Sequence, residues 1–243
     1  MPNAAETPPS KGRQLMNTRK IRVWDLPTRL FHWLLVVLVL AAYVTGQIGG
    51  SMIEWHGRAG VAITGLLAFR IVWGIVGSTY ARFADFVPTP GRIGSYLRGQ
   101  WNRPGHNPLG ALSVFALLAI LIFQAVSGLF SNDEIAFSGP LRELVSSETS
   151  ERLSGLHRQN YWVILAFVVL HVGAVVFYAL VKKDDLVKPM ITGVKEVADP
   201  AHEPARGGGT VAFIVALAVT AAVLYFATGS FIEPPPPPPP AAW

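Results

Sequence analysis

Apolar residues along this chain gather into five runs, each bounded by charged or by glycine- and proline-rich stretches. A helix rises about 1.5 Å per residue, so about 20 apolar residues cross the roughly 30 Å of a bilayer's hydrocarbon. Runs at about Leu30–Thr45 (reaching back to Pro27 as a first helical residue), Gly57–Val76, Leu109–Phe130, Gln159–Val181 and Thr210–Thr228 meet or approach that length. They predict five transmembrane helices. The pattern divides the chain into an N-terminal segment 1–20, a membrane domain 21–196, a linker 197–209 ending in three glycines and expected to be flexible, a fifth helix 210–229 and a proline-rich tail 230–243. The tail reads as extended polyproline II, and no internal repeat is visible.

Composition agrees with this pattern. Of 243 residues, 51% are hydrophobic and 14% charged, which suits an all-α integral membrane protein. The first apolar run starts too far into the chain, and lacks the small-residue pattern, for a cleaved signal peptide. The net charge of +5 does not point to nucleic acid, because the basic residues lie in loops between apolar runs. Lys11, Arg13, Arg19, Lys20 and Arg22 precede the first run; Arg82, Arg92, Arg98 and Arg103 follow the second; Lys182, Lys183, Lys188, Lys195 and Arg206 follow the fourth. The 46–55 loop has no Lys or Arg, and the 131–156 loop has two among five acids. Positive charge stays on the cytoplasmic side, so the N-terminus is expected there and the tail outside.

There is no cysteine. Disulfides, thiolate-held iron–sulfur clusters and thioether-linked haem are thereby excluded, and a cofactor must be held by other ligands. Histidine is the candidate, because an imidazole is expensive inside hydrocarbon unless it has a function. His157 and His171 stand fourteen residues apart, an interval of about 21 Å that brings a helix back to nearly the same face. His32 starts the first helix on the cytoplasmic side, and His56 starts the second on the outer side. Sorted by depth, His56 pairs with His157 outside and His32 with His171 inside. Two imidazoles at one level suit six-coordinate haem iron. No carboxylate or thiol joins either level to complete a zinc or copper site. The expected cofactors are two non-covalent b haems, bis-His ligated and stacked across the bilayer.

Arg70 lies fourteen residues after His56 inside "GLLAFRIVWGIVG". It is therefore on the same face at the inner level, where a haem propionate is a fitting anion. Arg29, Arg58 and Arg158 are lesser candidates for the same role. Asn107 and Pro108 read as the cap and first residue of the third helix, so His106 beside them is set aside, as is His202 in the linker. Gln124, Ser127 and Gly128 of the third helix are assigned to packing and interhelical hydrogen bonds.

The stretches "VWDLPTRLFHWLLV", "FRIVWGIVGSTYARFADFV", "GHNPLGAL", "DEIAFSGPL" and "LHVGAVVFYALVKKDDLVKPMITGVK" together resemble the bacterial cytochrome b561 family, which includes the b-type cytochrome subunits of nickel–iron hydrogenases. The likeness runs over about 21–196. It implies a four-helix bundle with two b haems held by histidines of the first, second and fourth helices, at positions matching His32, His56, His157 and His171. It further implies an electron-transfer oxidoreductase component of a respiratory chain, exchanging electrons between the quinone pool and a redox partner such as a periplasmic c-type cytochrome. The alternatives are a membrane subunit of a hydrogenase or other periplasmic dehydrogenase, and superoxide-to-quinone electron transfer. A proton relay or transporter is disfavoured, since the first four runs lack interior Asp or Glu. The fifth helix and the tail depart from the family pattern.

Overall fold

The computed structural model describes residues 18–232 apart from residue 136; most of the proline-rich tail and most of segment 1–20 lie outside them. The elements run β1 (Arg19–Arg22), α1 (Leu26–Ile48), α2 (Ile53–Val76), α3 (Phe83–Phe86), α4 (Pro90–Leu97), α5 (Pro108–Leu129), α6 (Ser147–Phe177), α7 (Val187–Thr192), β2 (Val194–Val197) and α8 (Thr210–Ala227). Five of the helices, α1, α2, α5, α6 and α8, are long and apolar enough to cross a membrane. Val37, Leu40, Val169, Leu170, Val211 and Ile214 turn outward from the spans, a surface suited to lipid rather than water.

Local chemistry sets where the spans begin. Asp25 caps α1, its Oδ1 accepting from Thr28 N at 2.7 Å, with Pro27 in the first turn where its missing N–H costs nothing. The other oxygen of the same carboxylate accepts from Trp73 Nε1 at 2.9 Å and Ser78 Oγ at 2.5 Å. One acid thus starts α1 and ties it to the end of α2. Asn107 caps α5 by accepting from Gly110 N at 2.8 Å. α6 starts twelve residues earlier than its apolar run, capped by Ser146. Its first three turns are polar, so His157 lies well inside a helix rather than at its start. At its far end α6 passes into a π-helical turn, Tyr178–Lys182, and stops at Lys183, whose φ is 55°.

β1 and β2 pair antiparallel, Arg19 opposite Val197 and Arg22 opposite Val194, an addition to the all-α pattern. The ribbon and the loops on its side form what is called below the basal face; the opposite end is the distal face. Residues 197–209 are not a free linker. They form a strap across the basal face, with Ala205 N donating to Arg22 O (2.7 Å), Tyr80 Oη to Glu203 O (2.6 Å) and Thr79 N to Arg206 O (2.8 Å).

α1 packs on α2, α2 on α5 and α8, and α5 on α6. α6 and α1 approach one another far less, and the bundle keeps a cleft between them. α8 seals the other side of α2. Ala216 is 0% exposed there, and a Cβ on Gly65 of α2 would lie 2.9 Å from Leu224 of α8. Small residues of this kind let transmembrane helices approach closely. Ala216→Leu should overpack the seam and destabilise the protein by about 1–3 kcal/mol, read as a lower melting temperature in detergent, whereas the lipid-facing Val211→Leu should leave it unchanged.

Candidate functional site

At the distal level the structure brings His56 of α2 and His157 of α6 together across the cleft, ring centroids 5.9 Å apart and planes at 85°. Two imidazoles bound on opposite sides of one metal ion at about 2 Å each place their centres about 6 Å apart. Hydrogen bonds fix both rings. His56 Nδ1 is 2.8 Å from Ala42 O of α1, and His157 Nδ1 is 2.9 Å from Gln124 O of α5, with Ser127 Oγ at 3.2 Å. A backbone carbonyl accepts only, so each Nδ1 carries the proton and each Nε2 keeps its lone pair, the tautomer a metal needs. The Gln124 carboxamide stands 3.1 Å from His157 Nε2 and is itself held by Asn160 Nδ2 at 2.9 Å.

Glycines make room for these rings. A Cβ on Gly46 of α1 would come within 2.9 Å of His56 Nδ1, and one on Gly128 of α5 within 2.9 Å of His157 Cε1. Gly60, one turn after His56, faces open space. The space is a cavity of about 660 Å³ that both histidines line together with Asn132, Ser154, Arg158 and Tyr161. Tyr43 and Tyr161 stack across its α1–α6 side at 5.9 Å. Volume, walls and paired imidazoles fit a large, flat, metal-centred group. Gly46→Val and Gly128→Val should each displace one ring and remove binding of such a group at this level with the fold retained, read as a loss of the cofactor's absorbance per chain.

At the basal level His32 of α1 and His171 of α6 lie within electrostatic range of one another. His32 Nδ1 is buried with no hydrogen-bond partner, so this pair lacks the carbonyl acceptor each distal ring has. Arg70 is 3% exposed and does not reach the surface. Its Nη1 donates to Ala81 O at 3.1 Å, its guanidinium lies 4.6 Å over Phe83, and no carboxylate among the described residues stands within ion-pair distance. A buried guanidinium with one carbonyl partner retains donors for an anion.

The lesser arginines fare differently. Arg58 is exposed, paired to Glu54 at 2.6 Å and stacked on Trp55. Arg29 donates to Ile191 O at 2.5 Å, bracing α7 against α1. Arg158 lines the distal cavity. His106, set aside from sequence, is buried between Trp24 and Phe86, ring centres 4.6 and 4.5 Å away, in electrostatic range of Arg70, His32 and His171. Gly46, Gly128 and Asn160 were missed as site residues. Gly46 carried a signal, since it follows His32 by fourteen residues and so lies on its face at the distal level. Among the described residues no cluster of three His, Cys, Asp or Glu forms a metal site of protein ligands alone, so each pair offers two ligands.

A family model described as prokaryotic cytochrome b561 matches residues 23–193. Among curated relatives, the probable Ni/Fe-hydrogenase 1 B-type cytochrome subunit of Escherichia coli (strain K12) is 26% identical over 212 residues, covering 71% of this chain and 89% of that protein. The probable Ni/Fe-hydrogenase B-type cytochrome subunit of Rhizobium leguminosarum bv. viciae is 25% identical over 224 residues, covering 77% of this chain and 94% of that protein. The corresponding protein of Rhodobacter capsulatus is 24% identical over 226 residues, covering 75% and 84%. No solved structure matches the chain. α8 lies beyond the family match, which takes in α1, α2, α5 and α6 with all four paired histidines. With five spans and a match over more than half its length, the chain is a multi-pass membrane protein of the prokaryotic cytochrome b561 family, a cytochrome of the b type.

Proposed function

We propose that this protein conducts electrons across the cytoplasmic membrane through two haem b groups, linking a periplasmic hydrogenase to the quinone pool. A b-type cytochrome carries haem b, whose iron supplies a reversible one-electron couple. The observation that carries the reading is the distal pair, two imidazoles 5.9 Å apart whose Nδ1 protons go to backbone carbonyls, which makes each Nε2 the nitrogen with a lone pair; that of His157 meets the Gln124 carboxamide at 3.1 Å, a contact that ligation would replace. The residues present would hold haem as follows: His56 and His157 at the distal level, His32 and His171 at the basal level. Two histidines per level leave no open coordination position, which favours outer-sphere transfer over binding of a substrate to the metal.

The chain's own groups orient, shield and tune. Ala42 O and Gln124 O hold the distal rings in one tautomer and raise their basicity. Gly46, Gly60 and Gly128 admit the macrocycle, and Tyr43 with Tyr161 excludes water from the cleft. Arg70 supplies a fixed positive charge near the basal level, suited to a propionate. The lysines and arginines of the basal face support a cytoplasmic position for that face, with the more acidic distal face outside, toward a periplasmic partner. The names of the relatives support a nickel–iron hydrogenase in that place; the iron–sulfur chemistry would then reside on the partner, since this chain has no cysteine.

The contrast between the pairs gives a direction. Carbonyl-bound imidazoles are the more basic ligands and favour ferric iron, while Arg70 favours the reduced state at the basal level. The distal haem should titrate at the lower potential, so electrons run downhill from the distal to the basal face. A redox titration resolving the two components in wild type and in Gly128→Val checks the order: the component surviving in Gly128→Val should be the higher-potential one, and survival of the lower-potential one would reverse the proposed direction.

The partner is tested by co-purification. Tagged chain expressed with its neighbouring hydrogenase genes should retain the enzyme and pass electrons from hydrogen to a quinone analogue. Full activity of a hydrogenase lacking this chain with the same analogue in membranes would contradict the role.

A further inference from the structure

A second cavity, of about 240 Å³, lies on the basal face and has no part in the paired histidines. Its walls come from residues 79–86, 101–106 and 201–203, none of them in a spanning helix. Its contents therefore come from the aqueous or headgroup side, not from the hydrocarbon. Three nitrogen atoms along these walls are buried without a hydrogen-bond partner: Trp101 Nε1, His106 Nδ1 and His202 Nδ1. Buried polar groups are nearly always satisfied, and each exception asks for a partner. An indole N–H can only donate.

The charge of the cavity is set by what remains unpaired. Asp85 is tied to Arg82 at 2.8 Å and Glu203 to Arg206 at 3.4 Å. Arg103 has no hydrogen-bond or ion-pair partner among the described residues and lies within electrostatic range of the Tyr80 hydroxyl. Burial keeps the His106 imidazole neutral, lowering its pKa to about 3, so His106 contributes a hydrogen-bonding ring nitrogen rather than a charge. One unpaired guanidinium, one obligate donor and two imidazoles, that of His202 set by Asp199 at 4.0 Å from its Nε2 with Nδ1 left over, match an oxyanion whose acceptor oxygens point in several directions. A planar carboxylate would reach fewer of them.

We propose that this cavity binds a phosphate-bearing anion, held by Trp101 Nε1–H, the Arg103 guanidinium and the imidazoles of His106 and His202. The phosphate belongs either to an anionic lipid headgroup at the membrane surface or to a solute. His202 brings the strap into the site, so occupancy fastens residues 199–206 to the bundle. Because His106 is in electrostatic range of Arg70, His32 and His171, a bound anion also stabilises positive charge at the basal level and favours its oxidised state.

The test uses the purified full chain with its native haem content, in phosphatidylcholine nanodiscs. Inorganic phosphate is titrated calorimetrically, and phosphatidylglycerol retention is followed by native mass spectrometry. Binding of one or both probes is expected, weakened about tenfold or more in Trp101→Phe and in Arg103→Gln, and unchanged in Arg92→Gln on the same face. Saturation by inorganic phosphate identifies a solute; retention of phosphatidylglycerol alone identifies the lipid. The inference is overturned if neither probe binds, if Trp101→Phe and Arg103→Gln bind like wild type, or if Arg92→Gln loses as much as Arg103→Gln. Haem content of each variant reports folding, and it does not bear on whether the anion binds.

Discussion

Replacing either distal histidine, as His56→Ala or His157→Ala, should abolish the same haem and leave about half the wild-type haem per chain, with the remaining spectrum identical in the two variants. His32→Ala and His171→Ala should remove the other half and leave the complementary spectrum. The expectation is a pairwise identity rather than a general loss. The rings of His56 and His157 face one another at 5.9 Å across the α1–α6 cleft, and His32 and His171 share the basal level. With one histidine of a pair removed, a single imidazole would remain to hold the group at that level, which is too little to retain it through purification. Pyridine haemochrome quantitation and reduced-minus-oxidised spectra check it. If His32→Ala and His56→Ala gave the same residual spectrum, the pairing by level would be wrong.

Arg70→Gln should lower the potential of the basal haem and leave the distal one nearly unmoved. The guanidinium is buried over Phe83 with no carboxylate at ion-pair distance among the described residues, Asp25 acting on it only from longer range, and its helix places it about 21 Å from the level of His56. At an effective dielectric of about 20, a unit charge contributes about 2 kcal/mol at about 8 Å and under about 1 kcal/mol at about 20 Å. The difference corresponds to a selective shift on the order of 50 mV for a one-electron couple. Potentiometric titration following each component decides it. Equal shifts of both haems, or none, would remove Arg70 from the basal site. Glutamine keeps the hydrogen bond to Ala81 O within reach, so a collapsed fold is not the expected outcome.

Much of this arrangement is written in local sequence. Length and apolarity mark all five spans, Asn107-Pro108 marks the start of α5, and the fourteen-residue intervals 56–70 and 157–171 mark faces and depths. What local pattern does not carry is long-range pairing. β1 and β2 are joined by hydrogen bonds between segments separated by nearly the whole membrane domain, and the strap 197–209 looks like a linker because its partners, Arg22, Thr79 and Tyr80, are remote in the chain. The early start of α6 is hidden for another reason. Residues 147–158 are polar, and a polar helix that leaves the membrane has the same hydropathy as a loop; only Ser146 with Thr149 signals the cap. His106 was passed over because it precedes a helix start, yet the aromatic walls that bury it come from β1's continuation at Trp24 and from α3 at Phe86. The orienting carbonyls of Ala42 and Gln124 carry no side-chain signature at all, and become visible only once the helices are packed.

The most direct measurement is the ratio of haem b to polypeptide in the purified chain, taken with acid–acetone extraction and quantitative amino-acid analysis. Two haems per chain, all released by extraction because no cysteine can form a thioether, is the expected result. One haem per chain, or haem that stays with the protein after extraction, would contradict two bis-histidine levels.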